Sequence, residues 1–222
     1  MADDDTFIRE VNEEIRKEQA KAIWDRYGPI LIGLALLVVL ATSAYVGYRY
    51  WDESRANTSG DAYSQALRLA NEGKEDDALA ALADIEKSGY GAYPVLARMR
   101  SATVKADKGD VAAAVSELDA VAADGSIPQS LRDMARLRAA LLLVDTGSYA
   151  DVSSRVEALA ADGNALRHSA REALGLSAWK EGKAADALKL FEQIVADQAA
   201  PQNVRQRATL MSELIRGSGG AS

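Results

Sequence analysis

An uncharged stretch of 22 residues runs from position 27 to position 48. As a helix rising about 1.5 Å per residue it spans roughly 33 Å, enough for a bilayer core of about 30 Å. Aromatic residues, which favour the membrane interface, lie near its ends: Tyr27, Tyr45, Tyr48, Tyr50 and Trp51. The stretch predicts a transmembrane helix over residues 27–50 that anchors the chain in a lipid bilayer.

Two other interpretations of this stretch compete with the anchor. A buried core helix is seldom this long without a charge. A cleaved secretory signal has an apolar region of about 7–15 residues behind a basic leader. Here small residues at 41–44 offer a cleavage point, but 26 residues precede the stretch and it is longer than a signal requires. An uncleaved anchor is favoured.

The orientation follows from the positive charges that flank the span, because basic residues stay on the cytoplasmic side. Five basic residues precede it, and Arg49 and Arg55 follow it closely; the five are Arg9, Arg16, Lys17, Lys21 and Arg26. This difference predicts that the amino terminus stays in the cytoplasm and that the carboxy-terminal domain is translocated across the membrane.

The remaining boundaries follow from composition and periodicity. Ile8, Val11 and Ile15 recur at helical spacing and predict a short cytoplasmic helix within residues 1–26. The polar residues 51–58 are expected to form a linker, and residues 59–216 a helical domain. The last residues, 217–222, are expected to be a disordered tail.

Charge and cysteine content exclude several functions. The 174 residues after position 48 carry 21 Lys and Arg against 25 Asp and Glu. This balance lacks the basic surface of a nucleic-acid-binding protein. The chain has no cysteine, so disulfides and thiolate metal sites are excluded.

Four glycines mark an internal repeat, each five residues before a small apolar residue: Gly73 and Ala78, Gly109 and Ala114, Gly147 and Val152, and Gly182 and Ala187. The glycines are 36, 38 and 35 residues apart. A glycine between two helices can take a positive φ and end the first one. The small residue lets the second helix approach its neighbour, so the pattern predicts four helix pairs.

Apolar residues three and four apart predict a buried stripe on the second helix of several pairs; they are Leu79, Leu82 and Ile85; Val115, Leu118 and Val121; and Leu188, Phe191, Ile194 and Val195. A single pair cannot bury its own faces, so neighbouring pairs are expected to stack into an all-α solenoid. The alternative is an alanine-rich helical bundle with accidental glycines.

Residues 173–201 resemble a tetratricopeptide repeat. They carry Leu174-Gly175, the inter-helix Gly182, the small Ala187 and the large Phe191. They depart from the family pattern at Ala178, where an aromatic is usual. The other three repeats lack the early Leu-Gly pair and are degenerate. Pro201 is expected to begin a carboxy-terminal capping helix, with Val204, Ala208, Met211 and Ile215 on one face.

No catalytic motif is found in the sequence. The single histidine, His168, is expected to be a surface or packing residue. Four aspartates are interpreted as turn and cap residues: Asp145, Asp151, Asp186 and Asp197. The protein is therefore predicted not to be an enzyme, with no cofactor, no metal and no small-molecule substrate.

The tetratricopeptide resemblance implies a groove lined by the first helix of each repeat. Its inward positions would be Tyr63, Leu67, Met99, Thr103, Leu137, Leu141, Val144, Glu172, Leu176 and Trp179. This mostly apolar lining suits a hydrophobic or unfolded segment, or a helix of a partner, and Trp179 is the best candidate for an exposed anchor residue. The competing interpretation is that these residues only pack the repeats together.

The whole layout resembles the YfgM-like ancillary subunits of the bacterial SecYEG translocon. The resemblance is most specific over residues 13–29, which read EEIRKEQAKAIWDRYGP. It implies a periplasmic repeat domain, association with SecYEG and with a membrane-anchored periplasmic chaperone resembling prolyl isomerases, and a non-catalytic adaptor that helps hand over exported proteins.

Two alternatives remain from the sequence. One is a scaffold for the cell envelope or for cell division, although such repeat proteins are typically soluble. The other is a peptide-binding protein resembling import receptors, which would place the domain in the cytosol and contradict the charge asymmetry.

Overall fold

The architecture is known from a computed structural model that describes residues 2–219, with the side chains of α1 described from residue 16 onward apart from 20, 22 and 23. Over these residues the chain forms helices and no β-strand, so the all-α prediction is confirmed. The helices are α1 Ala2–Asn71, α2 Glu75–Ser88, α3 Tyr93–Asp107, α4 Val111–Ala123, α5 Gln129–Thr146, α6 Tyr149–Val156, a 3₁₀ turn Glu157–Ala160, α7 Arg167–Lys180, α8 Ala184–Ala196 and α9 Gln202–Gly217.

The chain divides into two compact units, the first ending at Asn57 and the second beginning at Thr58. In the first unit, α1 contains the apolar stretch, and its large apolar side chains are exposed. This is the helix of the described chain that is long and apolar enough to cross a membrane. The exposure disfavours a buried core helix.

Residues 51–58, expected as a linker, are helical and continue α1 without a break. The segment contains neither proline nor glycine, and Arg49 forms an ion pair with Glu53 at 2.5 Å, one turn apart. Polar composition suggested a loop, but nothing in it interrupts a helix. At the other end α9 runs through Gly217, Ser218 and Gly219 follow it, and residues 220–222 of the expected tail lie outside the described residues.

The second unit is a stack of helix pairs. The last turns of α1 pack with α2, and α3 with α4, α5 with α6 and α7 with α8 form the next pairs. Successive pairs join through contacts of α2 with α3, α4 with α5, and both α5 and α6 with α7. The helix α9 packs on α8 and α7 at the carboxy-terminal end. Four degenerate pairs and a capping helix were predicted, and this prediction is confirmed.

The small residues after each glycine are fully buried, as the repeat pattern predicts; they are Ala78, Ala114, Val152 and Ala187. The stripes of the second helices also enter the core through Leu82, Ile85, Leu118, Val121, Phe191 and Ile194. Val195 is an exception and is exposed, because adjacent helix positions point about 100° apart and Ile194 already faces inward.

Three of the four inter-helix glycines adopt the left-handed backbone expected of them, with φ of 73° at Gly73, 89° at Gly109 and 77° at Gly182. Gly147 differs from the other three, because its backbone is extended, with a φ of −91°. There the next helix begins with a capping box. The Ser148 side chain accepts a hydrogen bond from the Asp151 backbone N–H, and the Asp151 carboxylate accepts one from the Ser148 backbone N–H.

Candidate functional site: a groove along the first three repeats

A groove with a volume of about 520 Å³ opens on the first helices of the first three repeats. Its lining comes from the end of α1, from α3 and α5, and from one residue of α4; the residues are Tyr63, Leu67, Leu96, Met99, Arg100, Thr103, Ala106, Asp107, Leu118, Leu131, Met134, Arg138, Leu141 and Leu142. Binding pockets commonly measure about 300–1,000 Å³. The groove can therefore receive a few side chains of a partner.

The groove has an apolar floor and an open side. Met99 and Leu118 are buried and form part of the floor, where they also belong to the core of the second repeat. Leu141, in contrast, is 45% exposed. An exposed leucine beside a buried apolar floor can be covered only by another molecule, and covering it is favourable at about 25 cal/mol per Å² of apolar surface.

Five of the ten residues predicted from the sequence line this groove: Tyr63, Leu67, Met99, Thr103 and Leu141. Tyr63 is held by a tilted aromatic contact with Tyr93, at 5.9 Å between ring centroids. The Thr103 hydroxyl donates a hydrogen bond to the Met99 carbonyl one turn earlier, at 3.2 Å. These contacts fix the side chains of α1 and α3 that face the groove.

In the third repeat the predicted register is only partly right. Leu137 and Val144 pack in a core cluster with residues of α6 and α7, away from the groove. The positions that face the groove are instead Met134, Arg138 and Leu141, at helical spacing of four and three. Leu137 is one position away from this face and so points into the core.

In the fourth repeat none of the three predicted residues lines the groove. The buried carboxylate of Glu172 binds the Arg207 guanidinium of α9. Leu176 and Trp179 are half-buried against a core cluster that includes Ile215 of α9. Trp179 was expected to be an exposed anchor residue, and it instead packs in the core at this end of the stack.

Two arginines that were not predicted from the sequence also line the groove, Arg100 on α3 and Arg138 on α5. Helical spacing from the predicted groove residues could have identified both arginines. Arg138 lies three positions before the predicted Leu141, and Arg100 is three before Thr103. Neither arginine forms an ion pair within 4.0 Å in the described part of the chain. Asp107, at the end of α3, also lines the groove.

The only histidine lies in a polar cluster outside the groove. His168 is buried, with its Nε2 atom 2.8 Å from the Oδ2 atom of Asp197, and Arg167 reaches the same oxygen at 2.8 Å. The hydrogen bond to His168, the backbone N–H of Ala199 and the Arg167 guanidinium lower the pKa of Asp197 far below its ordinary value. The cluster joins α7 to the end of α8, which fits the packing role expected for His168.

Metal-ligating residues do not converge elsewhere in the described chain: no group of three or more His, Cys, Asp or Glu side chains there could hold a metal ion.

Stacked helix pairs with an open groove along their first helices define a helical-repeat protein of the tetratricopeptide type. The chain belongs to the family described as tetratricopeptide repeat-like domain, whose sequence model matches residues 21–214. That match includes the apolar stretch of α1 as well as the repeats.

One curated relative is the protein named ancillary SecYEG translocon subunit in Escherichia coli (strain K12). The two sequences are 32% identical over 120 residues, which cover 52% of this chain and 55% of the relative. The matched region thus spans about half the length of each protein. The resemblance to ancillary SecYEG translocon subunits predicted from the sequence is confirmed. No solved structure matches the chain.

Proposed function

We propose that this protein is a non-catalytic, membrane-anchored adaptor that associates with the Sec translocon and helps hand exported proteins to periplasmic chaperones. The observation that carries the proposal is the similarity to a protein named as an ancillary subunit of the SecYEG translocon. Membership in a repeat family supports the adaptor role, because stacked repeats offer extended surfaces for binding other proteins.

The groove supplies a physical basis for an adaptor. Its apolar floor can bind hydrophobic side chains of a chain that has not yet folded, and its open side lets such a chain enter and leave. Hydrophobic binding of this kind requires no particular orientation of the bound side chains. Its free energy depends on the apolar surface area that is buried. An adaptor that meets many exported sequences needs this tolerance more than it needs a shaped catalytic pocket.

The proposed location is the bacterial inner membrane, with the amino terminus in the cytoplasm and the repeat domain in the periplasm. The apolar part of α1 supports the anchor by its length and composition. The orientation rests on the excess of basic residues before the span. The proposed partners are SecYEG, the lipid bilayer and a membrane-anchored chaperone resembling prolyl isomerases, the last on the family resemblance alone.

Site-specific photo-crosslinking in cells of the organism that makes the protein tests this function. A photoreactive amino acid replaces Leu141, which is exposed on the groove, or Trp179, which is half-buried in the core of the fourth repeat. We expect Leu141 to capture translocon subunits or exported chains, identified by mass spectrometry, and Trp179 to give products within the protein itself.

Capture of cell-division or cell-wall proteins from Leu141, with no translocon subunit or exported chain, would overturn the proposal. Protease treatment of spheroplasts tests the orientation independently. The repeat domain should be digested from outside while the amino terminus is protected, and the opposite pattern would place the domain in the cytosol.

A further inference from the structure

The capping helix α9 occupies the place of a first helix in a fifth repeat. It begins at Gln202, 35 residues after the start of α7 at Arg167. Gly217 follows Gly182, the glycine between α7 and α8, by the same interval of 35 residues. The repeat spacing therefore identifies the face of α9 that corresponds to the side of α7 on which α8 packs.

One position of the first helices shows what this face does in the complete pairs. A small, buried residue occupies it in each of the four repeats, and the four residues are Ala66, Ala102, Ala140 and Gly175. Each alanine belongs to a core cluster that includes residues of the second helix of its own pair. A Cβ atom at Gly175 would lie 2.9 Å from Cζ of Phe191 on α8. The position thus marks where the second helix packs on the first.

The equivalent position of α9 is Leu210, and it is exposed. Leu210 follows Gly175 by 35 residues and is 65% exposed, and Leu214, one turn further along, is 52% exposed. Terminal helices of repeat stacks normally have a polar outer face. Two neighbouring exposed leucines depart from this rule, and burying them against another helix is favourable at about 25 cal/mol per Å² of apolar surface.

The size of Leu210 indicates what kind of helix covers it. The small residues of the complete pairs let the second helix approach closely, whereas a leucine holds a neighbouring helix farther away. A second copy of α9 meets this requirement, because the two leucines face each other across a twofold axis and fill the wider gap. A twofold axis perpendicular to α9 also makes the two helices antiparallel, like two helices joined by a short turn.

The charges on α9 are compatible with a second copy of the same helix. Arg207 precedes Leu210 by three residues, and Glu213 follows it by three. In an antiparallel pair centred on Leu210, the half-exposed Arg207 of one copy lies at the same level along the helix as Glu213 of the other. The two Glu213 residues are then about 9 Å apart along the axis, a separation at which salt screens their repulsion.

We propose that two copies of this protein associate through α9, with Leu210 of both copies at a twofold axis and Leu214 packing beside it. Such a contact uses the same surface on both copies and therefore closes as a dimer. The leucines bury less than the roughly 800 Å² per partner of a standard interface, so the dimer is weak. Anchoring of both copies in one membrane raises their effective concentration. The inference does not depend on the proposed translocon role.

Cysteine crosslinking tests the proposal, because the chain has no native cysteine. Full-length Leu210→Cys in phosphatidylcholine vesicles is oxidised with copper phenanthroline, and the disulfide-linked dimer is measured on non-reducing gels. Thr209→Cys is the matched control, since this exposed residue of the same helix points about 100° away from Leu210. A residue at the twofold axis faces its own copy, so Leu210→Cys should form the dimer roughly tenfold faster or more.

Peptide mapping and a second substitution locate the contact. Trypsin cleaves after Arg207 and Arg216, so mass spectrometry should find two copies of the peptide 208–216 joined at position 210. Leu214→Asp in the Leu210→Cys background places a charge in the apolar contact and should slow crosslinking by roughly fivefold or more. Because Leu214 is exposed, this substitution should leave the fold intact, which circular dichroism verifies.

Equal rates for the two cysteine variants would overturn the proposal, since a dimer formed through the membrane-spanning helix would crosslink both alike. A rate that Leu214→Asp leaves unchanged would also overturn it. A photoreactive amino acid in place of Leu210 extends the test to cells, where we expect a crosslinked dimer of this chain. Capture of a different protein there, without the dimer, would assign this face to a helix of that protein and reject the second copy.

Discussion

Arg207 of α9 holds the carboxylate of Glu172 on α7 with two nearly parallel hydrogen bonds, from Nε to Oε1 at 2.6 Å and from Nη2 to Oε2 at 2.7 Å. Glu172 is buried, whereas the Arg207 side chain is about half exposed. The pair fixes the capping helix across the first helix of the fourth repeat. Residues that would otherwise continue the groove are therefore covered, and the open lining ends at the third repeat.

Replacement of Arg207 by glutamine should loosen the capping helix. It leaves a buried carboxylate without its charged partner, which we expect to lower the free energy of unfolding by about 1–2 kcal/mol, less than for a fully buried pair because Arg207 is half exposed. Hydrogen exchange measured by mass spectrometry should show faster exchange in α9 than in α3 and α4. Urea denaturation of the full chain in detergent gives the free energy.

Arg216→Gln is the matched control on the same helix. Arg216 pairs with Glu192, and both side chains are about half exposed. The exposed fraction is 56% for Arg216 and 49% for Glu192. Such a pair contributes little, so this substitution should change the free energy of unfolding by less than about 0.5 kcal/mol. Equal effects of the two substitutions would contradict the role assigned to Glu172.

The groove could be predicted from the sequence only where each repeat follows the family register. Tyr63 and Met99 line the groove at the positions that the resemblance implied. Glu172 and Trp179 have the same formal position, but α9 packs over them. The repeat pattern predicts which positions face inward, but it does not predict which of them a later helix covers. Coverage by a later helix depends on packing between residues far apart in the sequence.

At two other points the sequence was compatible with more than one local conformation. Gly147 could have taken a positive φ, yet the capping box of Ser148 and Asp151 begins the next helix from an extended glycine. Residues 51–58 were expected to form a linker, and they are helical because they contain no helix-breaking residue. In both cases the local sequence was compatible with more than one backbone conformation, and composition did not distinguish between them.

Gly175 is required by the close approach of α7 and α8. A Cβ atom at this position would lie 2.9 Å from Cζ of the fully buried Phe191. Gly175→Ala should therefore lower the free energy of unfolding by about 1–3 kcal/mol through overpacking. Gly125→Ala is the control, since a Cβ atom there meets nothing within 4 Å. Urea denaturation of both variants makes the comparison, and a stability of Gly175→Ala equal to that of the control would refute the packing explanation.

Gly109 is required by its backbone conformation rather than by space. Its φ is 89°, and a Cβ atom would meet nothing within 4 Å. Gly109→Ala should cost about 1 kcal/mol or more of unfolding free energy, and Gly109→Asn should cost less, because asparagine tolerates left-handed backbone better than alanine. Thermal unfolding followed by circular dichroism ranks the two variants, and the reverse order would contradict the explanation.

The Asp197 cluster should make stability depend on pH in the acid range. The pKa of this carboxyl is lowered in the folded chain by His168, the backbone N–H of Ala199 and Arg167. Its stabilising contribution is therefore fully present above the unfolded pKa of about 4 and is lost as the pH falls below that value. The difference in unfolding free energy between wild type and Asp197→Asn should be constant above about pH 5 and should shrink below about pH 4. Asp61→Asn, at an exposed carboxylate of α1, controls for general loss of charge. A difference for Asp197→Asn that stays constant down to pH 3 would show that the contacts of this carboxylate do not stabilise its ionised form.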